Sequence, residues 1–111
     1  MMEPDYCETE PSRTEIDALE GPLLIEFGAP WCPHCQAAQS LIVSALAPHS
    51  GVRRIKIEDG PGRPLGRSFR VKLWPTLVFM HHGKEMDRLV RPSDASAIEQ
   101  ALAKIDRINH P

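Results

Sequence analysis

The 111-residue chain has no long apolar run, no internal repeat and almost no net charge. Its longest apolar stretches, residues 22–25 and 77–80, are far shorter than the roughly 18–20 residues that span a bilayer. A formal net charge of -2 gives no basic field that would attract nucleic acid. Neither a membrane nor a nucleic acid is therefore an expected partner. The apolar fraction of 41% is too high for a disordered chain and fits one globular domain.

The start of the chain lacks the pattern of a secretion signal. Residues 1–5 contain no basic residue followed by an apolar core, so the protein is expected to be cytoplasmic, where thiols are usually kept reduced. Three cysteines, an odd number, fit a structural disulfide framework poorly. The pair Cys32 and Cys35 is more typical of redox chemistry or metal binding. Cys7 is interpreted as an incidental exposed thiol, with a regulatory or intermolecular disulfide as the alternative.

Apolar periodicity predicts four strands and four helices in the order α-β-α-β-α-β-β-α. The strands are predicted at residues 23–27, 52–58, 76–80 and 85–90. The helices are predicted to begin near Thr14, Pro33, Leu65, and Ser93 or Asp94. Strands that alternate with helices imply parallel crossover pairing, and the last two strands form an antiparallel hairpin. The fold class is therefore α/β, a single mixed β-sheet with helices on both faces.

Several polar stretches are interpreted as lying outside the core. Residues 1–13 are expected to form an N-terminal flexible arm, which leaves residues 14–111 as the folded domain. The Arg53-Arg54 pair is expected to be a solvated charge cluster. The adjacent His81-His82 pair is expected to be solvated at a hairpin end rather than to bind metal, because neighbouring strand residues point to opposite faces.

The motif Trp31-Cys32-Pro33-His34-Cys35 stands at a predicted strand-to-helix junction. Pro33 suits the first helical position, and free N–H groups at a helix N-terminus stabilise a thiolate. Because the thiolate is the attacking species, Cys32 is expected to be the exposed nucleophile with a lowered pKa. Cys35, one turn further on, is expected to be more buried and to resolve the mixed disulfide.

His34 and the possibility of metal binding each have two interpretations. The imidazole of His34 would favour the Cys32 thiolate and make the disulfide more oxidising, or it would be a solvated surface histidine. A structural zinc site needs four ligands, commonly two such cysteine pairs, and this chain has one pair. Redox chemistry without a metal is therefore the preferred hypothesis.

With this motif, the sequence resembles the thioredoxin family over residues 14–108. The motif matches the family's W-C-x-x-C, and Glu26 stands in the preceding strand where the family has a buried acid. The segment Trp74-Pro75-Thr76-Leu77 matches the family's cis-proline segment. The resemblance implies a thioredoxin-like fold and a thiol–disulfide oxidoreductase acting on protein disulfides or dithiols.

The resemblance also implies roles for residues outside the motif. A cis Pro75 would face the disulfide, and the backbone of Trp74 would hold an extended substrate. Glu26 would exchange a proton with Cys35, because burial raises the pKa of a carboxyl group. The alternative for Glu26 is a strand residue that reaches solvent.

Some residues depart from the family's usual pattern. Pro33-His34 replaces Gly-Pro and is similar to the dipeptide of periplasmic disulfide-forming oxidases. Gly28 stands where an aromatic is frequent, and Arg91 stands near a glycine that lines the substrate groove. The predicted substrate-binding residues are Trp31, Pro33, Trp74 and Arg91, with Trp31 shielding the cysteine pair.

The resemblance thus implies an enzyme that needs no metal or organic cofactor, only the Cys32–Cys35 couple. Its partners would be protein substrates and a reductase or glutathione as electron donor, and the protein is expected to be a monomer. Two alternatives remain. One is a thioredoxin-like binding or chaperone module with secondary redox activity. The other is a metal or iron–sulfur site shared between two chains.

Overall fold

The structure, a computed structural model, describes residues 5–106 and contains four helices and four strands. The helices are α1 (Arg13–Asp17), α2 (Pro33–Leu46), α3 (Pro64–Ser68) and α4 (Ala95–Asp106). The strands are β1 (Pro22–Gly28), β2 (Arg53–Glu58), β3 (Thr76–His81) and β4 (Lys84–Val90). The predicted order of elements is confirmed.

The four strands form one mixed sheet in the order β2-β1-β3-β4. β1 pairs parallel with β2 and antiparallel with β3, and β3 pairs antiparallel with β4. Both central strands are buried along their whole length, which fits their continuous apolar sequences. His82 and Gly83 connect β3 to β4 with φ angles of 48° and 77°, a left-handed geometry that tight hairpin turns require.

Helices cover both faces of the sheet, as predicted. On one face, α2 and α4 pack on inward side chains of β1 and β3, with Ile42, Phe79 and Leu102 fully buried. On the other face, α1 and α3 enclose a second cluster that includes Ile16 and Phe27. Each helix contributes an apolar stripe to a sheet that is apolar on both sides, which holds the sheet ends in fixed positions.

The first helix begins earlier than the sequence pattern indicated. Ser12 caps α1, accepting the Glu15 N–H at 3.0 Å while the Glu15 carboxylate accepts the Ser12 N–H at 2.9 Å. This reciprocal capping box fixes the helix start at Arg13 rather than at Thr14. The cap therefore lies within the segment that was predicted to be a flexible arm.

Residues 5–13, predicted to form a flexible arm, contact the folded domain in the structure, while residues 1–4 lie outside the described part of the chain. Tyr6 forms a parallel bridge with Lys56 of β2, and the Cys7 N–H donates to the Lys56 carbonyl at 2.9 Å. Further along, the Glu10 carboxylate accepts the Leu65 N–H at 2.8 Å. These contacts anchor the segment to β2 and α3. Cys7 is half-buried against the second core cluster, so it is not an exposed thiol.

Two polar residues that were expected to be solvated are buried. The Arg54 side chain is 8% exposed and forms an ion pair, whereas its neighbour Arg53 is exposed as predicted. His81 is 7% exposed, because it is the last residue of the buried strand β3, and its ring meets that of His82 edge-on at 4.2 Å. No helix within residues 5–106 is long and apolar enough to cross a membrane.

Candidate active site

The cysteine pair lies where β1 ends and α2 begins. Cys32 is the N-cap of α2 and its sulfur accepts the Cys35 N–H at 3.3 Å, while Pro33 occupies the first turn. Cys35 is completely buried, and Cys32 is 5% exposed. The greater burial of Cys35 is as predicted, but Cys32 is less exposed than expected. The reason is that Ala29 and Trp74 pack against the pair.

The pKa values of the two thiols are shifted in opposite directions. Burial raises the pKa of Cys32, but hydrogen bonds from the Cys35 side chain and from the N–H groups of Cys35 and His34 lower it by more, with help from the Arg91 charge. Burial raises the pKa of Cys35 to about 12, and the hydrogen bond to Cys32 and the charges of Cys32 and Glu26 act in the same direction. The arrangement therefore provides one thiolate nucleophile and one thiol that stays protonated until it is needed.

The imidazole of His34 is exposed and is not among the main groups that lower the pKa of Cys32. The contribution of this residue comes from its backbone N–H, one of the free donors at the start of α2. The side chain instead lines a groove of 350 Å³, together with Ala37, Ala38, Leu41, Pro75, Arg91, Pro92 and Ser93. A redox effect of the imidazole stays a prediction.

Pro75 is buried and its peptide bond with Trp74 is cis, as the family resemblance implied. The Trp74 ring packs on the cysteine pair, and its Nε1 donates to Asp59 Oδ2 at 2.9 Å. Asp59 was missed in the sequence, where it was placed in a loop without a role. Its carboxylate fixes the orientation of the ring that covers the thiols.

Trp31 is 67% exposed and meets the Trp74 ring edge-on at 5.5 Å. This exposure rules out core packing and leaves the predicted position beside the cysteine pair. The two rings therefore form an apolar surface next to Cys32. Another molecule that covered this surface would remove the exposed Trp31 ring from water.

Arg91 lies across the groove from α2, with a φ of 49°. Its Nε donates to the Trp74 carbonyl at 2.7 Å, and its backbone N–H donates to the Pro75 carbonyl at 2.9 Å. Within residues 5–106 no acidic side chain forms an ion pair with Arg91. The guanidinium is therefore an exposed and unneutralised charge beside the nucleophile.

Glu26 is completely buried, so the alternative that it reaches solvent is wrong. Its Oε1 accepts two bonds from Arg54, at 2.7 and 3.2 Å, and its Oε2 accepts the Gln39 amide at 2.7 Å. The Gln39 carbonyl in turn accepts from Arg54 and Lys56, and its amide also donates to the Cys35 carbonyl. Gln39 thus links the Glu26 carboxylate to the backbone of Cys35 by hydrogen bonds. Proton exchange between Glu26 and Cys35 stays a prediction.

Arg54, Lys56 and Gln39 were not identified from the sequence as site residues. A signal was present for two of them, since Arg54 and Lys56 stand two apart on β2 and therefore on one face. In the parallel register, Lys56 is opposite Glu26. Without that register, the sequence could not show that Arg54 and Lys56 lie on the sheet face that carries Glu26.

Gly28 leaves the back of the site open for another residue. A Cβ on Gly28 would lie 2.5 Å from the Cys35 sulfur, so a side chain at this position would require the Cys35 side chain to shift. The same point is 3.3 Å from the Tyr6 hydroxyl, so Tyr6 stands beside the space that an aromatic at position 28 would enter. Tyr6 is a site residue that sequence reasoning missed, because it comes from the segment predicted to be flexible.

Within residues 5–106, no three His, Cys, Asp or Glu side chains are placed to hold a metal ion.

The sequence model of the family described as Thioredoxin matches residues 6–104 of the chain. The chain belongs to the thioredoxin family. This match includes the cysteine motif, the cis proline and the Tyr6 segment, and it confirms the family resemblance of the sequence. A thioredoxin domain of this kind is a thiol–disulfide oxidoreductase domain, and the matched range contains the Cys32–Cys35 pair at the start of α2.

Individual relatives agree with this assignment. Human protein disulfide-isomerase A2 is 39% identical over 88 residues, which cover 74% of this chain but 17% of the relative. The thioredoxin of Porphyra purpurea is 28% identical over 94 residues, covering 83% of this chain and 87% of the relative. The solved structure of thioredoxin 2 from Pseudomonas aeruginosa PAO1 in its reduced form is 49% identical, with a TM-score of 0.86. That match covers 97% of this chain and 100% of the other, and it confirms the thioredoxin-like fold.

Proposed function

We propose that the protein is an enzyme that exchanges electrons with protein disulfides or dithiols through the Cys32–Cys35 couple. The observation that carries the proposal is the asymmetry of the two thiols, one with a lowered pKa at a helix N-terminus and the other buried behind it. The couple itself accepts and donates both electrons, so the proposal calls for no metal or organic cofactor. Membership of the thioredoxin family also supports disulfide-bearing proteins as the substrates.

The reaction takes place in two exchange steps. The Cys32 thiolate attacks one sulfur of the substrate disulfide, forming a mixed disulfide and releasing the other substrate sulfur as a thiolate. Cys35 then loses its proton and attacks the Cys32 sulfur, which forms the internal disulfide and releases the second substrate thiolate. Two electrons pass from the protein to the substrate. A reductase or glutathione is proposed to return them, in the reducing cytoplasm expected from the sequence.

The test is the reduction potential of the couple, measured by equilibrating the protein with glutathione buffers and trapping free thiols. We expect a reversible two-electron transition between the dithiol and the disulfide. The hydrogen bonds that stabilise the Cys32 thiolate favour the reduced form, so they raise the potential relative to a couple that lacks them. Failure to form a reversible disulfide would overturn the proposed function.

The substrate is proposed to lie across the groove between α2 and Pro75. Trp31 and Trp74 offer an apolar surface beside Cys32, and Pro33 is exposed at the start of α2. The carbonyl of Trp74, which would pair with an extended chain, is held by Arg91 instead. Because a carbonyl oxygen has two lone pairs, a substrate N–H would share the Trp74 carbonyl with the Arg91 guanidinium or displace it.

Replacing Arg91 with methionine is expected to raise the pKa of Cys32, because the positive charge of Arg91 lowers it. At pH values below that pKa, the fraction of thiolate falls, and alkylation of Cys32 by iodoacetamide should slow by about two- to threefold. Above it, the rates of variant and wild type should converge. The measurement is the alkylation rate against pH, with Arg67→Met, another exposed arginine, as the matched control. Identical profiles for wild type and Arg91→Met would remove Arg91 from the site.

The alternative of a binding module with secondary redox activity is not favoured. A surface that only binds partners has no use for two thiols of opposite acidity, and its binding would survive replacement of both cysteines by serine. The monomeric state is likewise part of the proposal, supported by a groove that is complete within one chain.

A further inference from the structure

A second opening reaches the cysteine pair from behind. This cavity, of 190 Å³, is lined by Cys35 and by the side chains of Asp5, Tyr6, Gln39 and Lys56, among others. It shares no lining residue with the groove beside Pro75. Asp5 at its rim is exposed, so the cavity is continuous with solvent. The cavity thus brings solvent close to Cys35 on a side that the substrate groove does not occupy, while the sulfur itself is completely buried.

The hydroxyl of Tyr6 and the Cys35 sulfur border the same small space beside Gly28. Both atoms are within 3.3 Å of the point where a Cβ of Gly28 would stand. The ring is fixed by the backbone bridge to Lys56 and by the Lys56 ammonium, which lies 4.6 Å from the ring centroid. Tyr6 is thus held in place by its own backbone and ring, in the same cavity that Cys35 lines.

The hydroxyl remains a hydrogen-bond donor over the working pH range. Burial first, and then the charges of Glu26, Cys35 and Cys32, raise the pKa of Tyr6 well above its ordinary value, against a smaller opposing effect of Arg54. A neutral phenol has one O–H to donate. No other hydroxyl group lines the cavity within the described part of the chain.

Cys35 needs such a donor in the second exchange step. Its thiol must ionise to attack, and the negative charges of Glu26 and Cys32 oppose this in a buried position. Once Cys32 is in the mixed disulfide, its charge and its hydrogen bond with the Cys35 thiol are gone. The remaining charges around the sulfur are Glu26, Arg54 and Lys56 in the buried network and Asp5 at the cavity rim.

We propose that Tyr6 donates a hydrogen bond to the Cys35 thiolate as it forms, and so accelerates the resolution of the mixed disulfide. The inference rests on the proposed function. The Cys35 proton leaves to water in the cavity behind the site. The thiolate, held by the Tyr6 hydroxyl, attacks the Cys32 sulfur. The Cys32–Cys35 bond forms, the bond from Cys32 to the substrate sulfur breaks, and the substrate leaves as a thiolate.

The test is Tyr6→Phe, which removes the hydroxyl and keeps the ring that Lys56 contacts. Reduced protein is mixed with a peptide disulfide, quenched in acid at set times and analysed by mass spectrometry, so that formation and decay of the mixed disulfide are followed separately. We expect decay to slow by about tenfold, the scale of a hydrogen bond to a charged group, and its pH profile to move to higher pH. Formation, which depends on Cys32, should keep its wild-type rate.

Cys7→Ser is the matched control, because Cys7 belongs to the same anchored segment but is absent from the lining of the cavity. An unchanged urea midpoint for Tyr6→Phe would show that the segment stays in place. If the mixed disulfide decays at the wild-type rate and pH profile in Tyr6→Phe, the role of Tyr6 is overturned. If wild-type protein reduces no peptide disulfide and forms no internal disulfide, the proposed function itself fails.

Discussion

Replacing Cys32 with serine should abolish disulfide exchange, whereas replacing Cys35 with serine should leave the protein joined to its substrate as a stable mixed disulfide. Cys35 is completely buried and its pKa is about 12, so it cannot take over the first attack. We expect a loss of turnover of at least about a thousandfold in Cys32→Ser, the order seen when a nucleophile is removed. Turnover of a protein disulfide and non-reducing electrophoresis measure the two outcomes.

Cys7→Ser serves as the control for both variants. Cys7 is half-buried on the other core cluster, away from the pair, and its backbone contact with Lys56 does not depend on the sulfur. Its replacement should leave turnover unchanged. Full turnover by Cys35→Ser, or an adduct that forms equally well in Cys32→Ser, would show that the two roles are assigned the wrong way round.

Arg54→Met is expected to destabilise the fold by roughly 3–5 kcal/mol, the range found when one partner of a buried ion pair is removed. The variant would leave Glu26, which is 0% exposed, without its main cationic partner. Arg53→Met is a closely matched control, since Arg53 is the preceding residue of the same strand and is exposed. Its effect should be within about 0.5 kcal/mol. Urea unfolding of both variants measures the difference.

A second replacement separates the loss of the ion pair from the loss of packing. In Glu26→Leu with Arg54→Met, no unpaired charge is left in the interior, so a large part of the stability should return. If the double variant is less stable than Arg54→Met alone, the arginine matters for its packing rather than for its charge. Equal stability of Arg53→Met and Arg54→Met would contradict the buried pair itself.

Apolar periodicity was enough to predict the order of the elements and the mixed sheet. The reason is that each face of the central strands β1 and β3 must be covered, so the strands have continuous apolar sequences and the helices have single stripes. The cysteine motif, with a proline in the first turn, likewise predicted a thiolate at a helix N-terminus from local sequence alone. Features that depend on one helix or strand at a time could therefore be predicted from the sequence.

Features that depend on register or on distant segments were not. Arg53 and Arg54 are the same residue type, and only the pairing of β2 with β1, which sets Arg54 opposite Leu24, places the Arg54 side chain on the sheet face that carries Glu26. Tyr6 stands in a polar stretch without periodicity, where a single bridge and one hydrogen bond hold it. The sequence motif led to His34 as the residue that tunes Cys32. Arg91, fifty-nine residues after Cys32, is the side-chain charge that the structure adds.

The space beside Gly28 is bordered by Tyr6, a residue near the start of the chain that lines the same cavity as Cys35. Gly28 can remain without a side chain because Tyr6 supplies an aromatic ring from outside the sheet. Positions 6 and 28 are therefore expected to vary together among relatives, with an aromatic at one and a small residue at the other. A tag fused close to Tyr6, or a truncation that removes it, would alter thiol reactivity as well as solubility, so comparisons of activity between preparations should keep residues 5–7 identical.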